Sequence, residues 1–148
     1  MTMMATIETP IRLSLTRSFE APPERLFDAF LSPEFGQWLG GDSVACVSCA
    51  MDPRLGGEYR MLHRAPDGQT IEHHGAYKQI TRPSKLAFTW SGGCAGPHVT
   101  LVTVTFQAKG AGTEITLTHE GFPSIEDCDR HNGGWAASFD RLATFLTK

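Results

Sequence analysis

The residue types best suited to chemistry in this chain of 148 residues are cysteine and histidine, and five of them fall in three close groups. The run Cys46-Val47-Ser48-Cys49 has the C-x-x-C spacing of zinc and redox sites. The pair His73-His74 brings two imidazoles together, and a histidine can anchor a ligand or transfer protons near neutral pH. The pair His119-Glu120 sets an imidazole beside a carboxylate. What each group can do depends on the strand or helix that carries it.

Strand geometry argues against a metal or redox site at the two neighbouring cysteines. They fall in the segment 43–52, which we predict to be a strand, and residues three apart on a strand point to opposite faces. A structural zinc also needs a second pair of ligands, and Cys94 and Cys128 are isolated from one another. We therefore predict that these cysteines are ordinary small apolar residues, and that the protein has no metal and no cofactor.

The histidines are also restricted by their strands. Adjacent side chains on a strand point apart, so at most one of His73 and His74 can face a cavity. His63, on the neighbouring strand and the same predicted face, is the companion of His73. Two histidines without a carboxylate are too few for most metal sites, which leaves three roles open: a structural histidine, a polar anchor for a ligand, or an acid/base. For His119-Glu120 we predict a structural role in the turn before the last helix.

The order of elements follows from periodicity and from turn residues. Alternating apolar residues predict a first strand over 11–19, and prolines begin two short helices, over 23–31 and from Pro33 to residue 38. Short turns then separate six segments of strand length, which must be antiparallel. These segments are 43–52, 57–64, 70–81, 85–91, 98–107 and 113–119. From Ile125 to Lys148 we predict one long helix, on which Trp135, Phe139, Leu142 and Leu146 recur at helical spacing.

The pattern of faces predicts the fold class. One face of most predicted strands is apolar and aromatic and the other is charged or rich in threonine, as in a sheet covered on one side. We predict one α+β domain over 1–148, with a flexible tail at 1–9, in which a seven-stranded antiparallel sheet curves around the C-terminal helix. A gap between helix and sheet can become a binding site, and the bulky aromatics indicate a small one. The residues predicted to line it are Tyr59, Met61, His63, His73, Tyr77, Phe88, Trp90, Val104, Leu117, Trp135 and Phe139.

Composition excludes several other classes of protein. The net charge is −3, and no cluster of Lys and Arg is longer than a pair, which argues against binding to nucleic acid. No apolar run approaches the ~20 residues that span a bilayer. The first residues lack the basic and apolar regions of a secretory signal, so we predict a cytoplasmic protein with reduced cysteines and no membrane partner.

Seven segments along the chain match one known pattern. They are 17–27 (RSFEAPPERLF), 33–38, 56–59 (GGEY), 75–80 (GAYKQI), 85–90 (KLAFTW), 113–122 (TEITLTHEGF) and Gly134-Trp135. In these segments the chain resembles the helix-grip superfamily of START-like (SRPBCC) proteins. Within it, the chain is most similar to the branch named after activators of the heat-shock protein 90 ATPase. The resemblance covers nearly the whole chain in the same order, and it implies the helix-grip fold.

Three functions stand as hypotheses. The first is non-enzymatic binding of a small apolar or amphipathic molecule, with aromatic side chains as walls and His63, His73 and Tyr77 orienting its polar end. The resemblance implies two alternatives. One is a chaperone-associated protein that binds or stimulates the heat-shock protein 90 ATPase. The other is a cyclase-like or hydrolase-like enzyme with a cavity histidine as acid/base. The resemblance also implies a possible homodimer.

Overall fold

The computed structural model of the chain describes residues 11–40, 44–93, 96 and 98–147. The tail predicted at 1–9 lies outside the described residues. Three helices and seven strands follow one another in the predicted order. They are β1 (Ile11–Phe19), α1 (Pro23–Phe30), α2 (Glu34–Trp38), β2 (Ala45–Met51), β3 (Glu58–Arg64), β4 (Thr70–Thr81), β5 (Lys85–Gly92), β6 (Thr100–Lys109), β7 (Gly112–Phe122) and α3 (Ile125–Phe145).

The seven strands form one antiparallel sheet in the order β1-β7-β6-β5-β4-β3-β2. The strands from β2 to β7 form a meander, and β1 joins it by pairing with β7. One face of the sheet is packed and the other is solvated: in β3, Tyr59, Met61 and His63 are buried, whereas Glu58 and Arg60 are exposed. The structure thus confirms an α+β, helix-grip architecture with a sheet covered on one side.

Helix α3 covers the packed face. Its first turn is capped by Ser124, whose hydroxyl accepts a hydrogen bond from the Asp127 backbone N–H at 3.2 Å. Trp135, Phe139 and Leu142 are buried, as their helical spacing predicts. The helix ends at Phe145, earlier than the predicted Lys148, which lies outside the described residues.

The strand boundaries differ in detail from those predicted. Strand β7 continues to Phe122, three residues past the predicted end at 119, so His119 lies within a strand and not in the turn before the helix. Strand β6 covers Thr100–Lys109 instead of 98–107. Both strands pair along their length, and ladder hydrogen bonds extend a strand wherever a neighbour offers partners.

A bulge in β2 overturns the expectation for the two cysteines. Cys46 lies opposite His63, but Ser48 lies opposite Leu62, so one extra residue is inserted between them. The insertion reverses the alternation, and Cys49 lies opposite Met61. The prediction that Cys46 and Cys49 point to opposite faces is therefore wrong, because it assumed a regular strand.

A close approach at Gly75 joins β3, β4 and β5. The Tyr59 hydroxyl crosses over Gly75 and donates a hydrogen bond to the Thr89 carbonyl oxygen at 2.6 Å. A Cβ atom at Gly75 would lie 1.9 Å from that same oxygen and 2.8 Å from the Tyr59 hydroxyl. This position therefore needs glycine, because any side chain would push two strands apart.

Replacement of Gly75 by alanine is expected to lower the free energy of unfolding by about 1–3 kcal/mol, the usual range for overpacking in a core. The matched control is Gly133→Ala in α3, where a Cβ would meet nothing within 4 Å. That control is expected to stabilise the helix by up to about 1 kcal/mol. Urea denaturation of both variants measures the two changes, and equal effects in the two would contradict the steric account.

Candidate functional site

A small cleft lies between α3 and residues of the strands β4 and β5. Its volume is about 130 Å³. Its walls come from the segment that ends α2, from β4 and β5, and from one side of α3. The lining residues are Leu39, Gly40, His73, Trp90, Arg130, His131, Gly134, Trp135 and Ser138.

Three of the eleven residues predicted to line a cavity lie in this cleft: His73, Trp90 and Trp135. The other eight lie in the interior around it and do not line it. Seven of them belong to the hydrophobic core, namely Tyr59, Met61, Tyr77, Phe88, Val104, Leu117 and Phe139. The eighth, His63, is bonded through Nε2 to the Gly36 carbonyl oxygen at 2.9 Å. The packed face therefore contributes far more to the core than to an open site.

His73 and Trp90 form one wall of the cleft as a stacked pair, with ring centroids 4.4 Å apart. Each carries a buried polar atom that has no hydrogen-bond partner among the described residues: Nδ1 of His73 and Nε1 of Trp90. Burial, together with the neighbouring histidines, lowers the pKa of His73 to about 3. The imidazole is thus neutral at physiological pH. Two unpartnered polar atoms in one apolar wall are unusual, because buried polar groups are nearly always hydrogen-bonded.

Trp135 forms the adjoining wall, with its ring centroid 5.2 Å from that of Trp90, and His119 holds its indole. The Trp135 Nε1–H donates to Nδ1 of His119 at 3.0 Å. On the other side of the ring, His119 Nε2 lies 2.7 Å from the Thr100 hydroxyl, which gives its own proton to the Trp90 carbonyl oxygen at 2.6 Å. An indole N–H only donates, so Nδ1 must be bare and Nε2 must carry the proton. The chain of bonds therefore requires the neutral Nε2–H tautomer.

The protonation of His119 agrees with these bonds. The ring has no solvent exposure, and burial lowers its pKa to about 3. A proton added to Nδ1 would face the Trp135 N–H. His119 is therefore a structural link between β7, β6 and α3, as the prediction of a structural role implied, although it acts from within a strand.

Small residues leave the space open, and they are not among the residues that the sequence predicted to line a cavity. A Cβ atom at Gly134 would meet nothing within 4 Å. Ser138 bends back to donate to the Gly134 carbonyl oxygen and accepts from the Gly40 N–H, both at 2.8 Å. The adjacent pair Gly133-Gly134 in the middle of a helix was the available signal, because each glycine costs about 1 kcal/mol there relative to alanine.

A larger groove of about 660 Å³ lies over the solvated side of the sheet, between β2 and β5. Several of its polar groups are already paired: Arg60 pairs with Glu72 at 2.6 Å, and the Tyr59 hydroxyl is bonded to the Thr89 carbonyl oxygen. No group of three or more potential metal ligands occurs among the described His, Cys, Asp and Glu residues. The smaller cleft is the better candidate site, because it combines apolar walls with polar atoms that lack partners.

Comparison with known proteins identifies the family. A family model described as "Activator of Hsp90 ATPase homolog 1-like protein" matches residues 20–147, and the chain belongs to this family. No curated protein matches the chain. None of the helices that the structure describes is long and apolar enough to cross a membrane.

Solved structures share the fold over almost the whole chain. Protein CV1439 from Chromobacterium violaceum is 28% identical, with a TM-score of 0.84 over 93% of this chain and 97% of that one. The AHSA1 protein from Silicibacter pomeroyi is 26% identical, with a TM-score of 0.79 over 93% and 98% of the two chains. A protein from Arthrobacter aurescens is 18% identical with a TM-score of 0.79 over 92% and 86%, which shows the fold alone.

Stability is expected to fall as the pH is lowered from 7 to 5, in part because of His119. Below its ordinary pKa of about 6.5 the histidine takes up a proton in the unfolded chain but not in the folded one, so stability is lost. His119→Gln keeps a donor and an acceptor but does not titrate. This variant is expected to lose about 2 kcal/mol less than the wild type between pH 7 and pH 5. Urea denaturation at the two pH values measures the difference, and equal losses would contradict a neutral buried His119.

Proposed function

We propose that this protein binds a small apolar or amphipathic molecule in the cleft between α3 and the sheet, without catalysing a reaction. One observation carries the proposal: Nδ1 of His73 and Nε1 of Trp90 lack partners among the described residues, in the wall of a cleft that is otherwise apolar. Binding sites typically combine apolar walls with a few polar groups that orient the ligand. Both atoms are shielded from solvent behind the wall, so a ligand would bond to them after a shift of the two rings, and that bond would remove the cost of burying them unpaired.

The cleft limits the size and polarity of the ligand. Its volume of about 130 Å³ is close to that of engineered cavities that hold benzene. The Trp90 indole can only donate a hydrogen bond, so the ligand should present an acceptor such as a carbonyl oxygen. Arg130, at the outer side of the cleft, is 59% exposed and pairs with Asp127 at 3.4 Å, and its remaining N–H donors suit a polar end of the ligand. A compact ring or short branched chain with one acceptor meets these requirements.

The other two hypotheses have less support. An acid/base enzyme would need a cleft histidine that exchanges protons near neutral pH. Of the two histidines that line the cleft, His73 has a pKa lowered to about 3, and His131 already uses Nδ1 in a bond to the Asp127 carbonyl oxygen at 2.8 Å. Association with the Hsp90 chaperone rests on the description of the family model. The contacts and volume of the described residues favour ligand binding.

Acetophenone and α-methylstyrene test the hydrogen bond to Trp90. The two molecules have nearly the same shape, but only acetophenone has a carbonyl oxygen, so only acetophenone can accept from the indole N–H. In ¹⁵N–¹H spectra we expect acetophenone to shift the Trp90 indole signal downfield and to bind more tightly, by about tenfold for one hydrogen bond. The Trp135 signal, already bonded to His119, should move less. Equal affinity for both molecules would contradict the proposed acceptor.

Occlusion of the cleft tests its location. Gly134→Leu would place a side chain in the open space of the cleft, and binding of acetophenone should fall below detection. Gly133→Leu is the matched control, because Gly133 is the adjacent helical residue, is equally open and does not line the cleft. This control should bind as the wild type does. If both variants bind normally, the ligand site is not in this cleft; native mass spectrometry of protein purified from cells would show whether a ligand is retained at all.

A further inference from the structure

The bulge in β2 creates a pair of thiols on the packed side of the sheet. In an antiparallel ladder, residues directly opposite each other point to the same face. Cys46 lies opposite His63 and Cys49 lies opposite Met61, and both of these partners are buried beneath the helices. The two cysteines are therefore neighbours on one face of a sheet edge. They are only half-buried, so solvent species can reach them.

Both thiols converge on Gly36 in α2. A Cβ atom on this glycine would lie 2.7 Å from the sulfur of Cys46 and 3.5 Å from the sulfur of Cys49. The two sulfurs are thus at most 6.2 Å apart, the sum of those distances. The missing side chain at Gly36 is what allows the sulfurs to approach the same point.

This arrangement does not suit a disulfide. Neighbouring side chains on one face of a strand leave the backbone in parallel, from Cα atoms that are about two rises, or roughly 7 Å, apart. Their Cβ atoms are therefore about as far apart. A disulfide needs Cβ atoms only about 3.5–4.5 Å apart. An atom placed between the two sulfurs is compatible with the limit of 6.2 Å, because two metal–thiolate bonds of about 2.3 Å each, the length found with zinc, would span about 4.6 Å.

We propose that Cys46 and Cys49 bind one soft monovalent metal ion, Cu(I), between their two thiolates beside Gly36. Thiolates are the ligands that soft Cu(I) prefers, and two of them suffice for a d¹⁰ monovalent ion in linear coordination. The site is separate from the cleft between α3 and the sheet and does not depend on ligand binding there.

The surroundings favour two-coordinate binding over a four-coordinate zinc site. The neighbouring imidazole, His63, already uses Nε2 in its bond to the Gly36 carbonyl oxygen. The next sulfur along the same face, that of Met51, is contacted by the Tyr77 hydroxyl at 3.8 Å. The described residues include no group of three or more His, Cys, Asp and Glu side chains placed for a metal, whereas structural zinc takes four protein ligands.

Binding must displace the thiol protons. Burial raises the pKa of both thiols, so the pair is protonated at neutral pH. The two protons leave to solvent as the two metal–sulfur bonds form, and no electrons are transferred. An ion with a strong preference for sulfur is needed to drive this exchange.

Competition for Cu(I) tests the site. The full chain is titrated under nitrogen into the coloured Cu(I)–bicinchoninate complex, and loss of colour reports transfer of one Cu(I) per chain. Cys46→Ser and Cys49→Ser are each expected to weaken this transfer by at least about tenfold, because each removes one of the two thiolates. Cys94→Ser and Cys128→Ser should transfer copper as the wild type does. The assignment is overturned if either of the first two variants keeps wild-type transfer, or if either of the last two loses it.

A variant with both thiols intact keeps the test decisive if the serine variants fail to fold. Gly36→Ala would place a methyl group 2.7 Å from the Cys46 sulfur and force it away from its partner, so copper transfer should fall. Gly133→Ala, a helical glycine with open space, is its matched control and should transfer copper normally. Near-ultraviolet circular dichroism confirms folding of each variant. Unchanged transfer by folded Gly36→Ala, or displacement of the Cu(I) by equimolar Zn(II), would overturn the proposal.

Discussion

The bonded chain through the His119 ring is the interaction on which the arrangement of helix and sheet depends. The ring is fully buried, and it joins Trp135 on α3 to Thr100 on β6, which in turn bonds to the Trp90 carbonyl oxygen on β5. Each hydrogen bond in this series can be donated from one side only, because the indole N–H only donates and the Thr100 hydroxyl already gives its proton to a carbonyl oxygen. A buried network that is fully satisfied in a single arrangement gives α3 one position relative to the strands, which nonspecific apolar packing does not do.

The cleft is a consequence of that position. With its N–H directed at His119, the Trp135 indole packs against Trp90 at 5.2 Å between centroids and stacks on Phe35 at 6.4 Å. Aromatic rings fill the described interior behind them, and the cleft remains beside Gly134, which has no side chain. The site we propose is therefore small because the core is dense, and it exists because helical position 134 is glycine.

The short helix α2 contributes to both proposed sites. The two residues that follow it, Leu39 and Gly40, line the cleft, and Gly36 in its middle lies against the two thiols. The helix has only five residues, so its own hydrogen bonds cannot hold it in place. Trp38 anchors it instead: the side chain is fully buried, and its indole donates to the Ala29 carbonyl oxygen in α1 at 3.0 Å. The placement of the glycines on either side of Trp38 thus depends on this anchor.

Periodicity in the sequence by itself determined the class of fold, the order of the elements and the buried face of β3, β5, β6, β7 and α3. These features follow from local spacing, because a residue's face depends only on its distance along a regular strand or helix. Only the tertiary structure decided which inward residues line a cleft and which fill the core, since Phe88 and Trp90 share one face of one strand and differ only in what packs against them. It also decided that Cys46 and Cys49 share a face. The bulge between them inserts one extra residue opposite the partner strand, and the sequence of β2 carries no periodic pattern that reveals it.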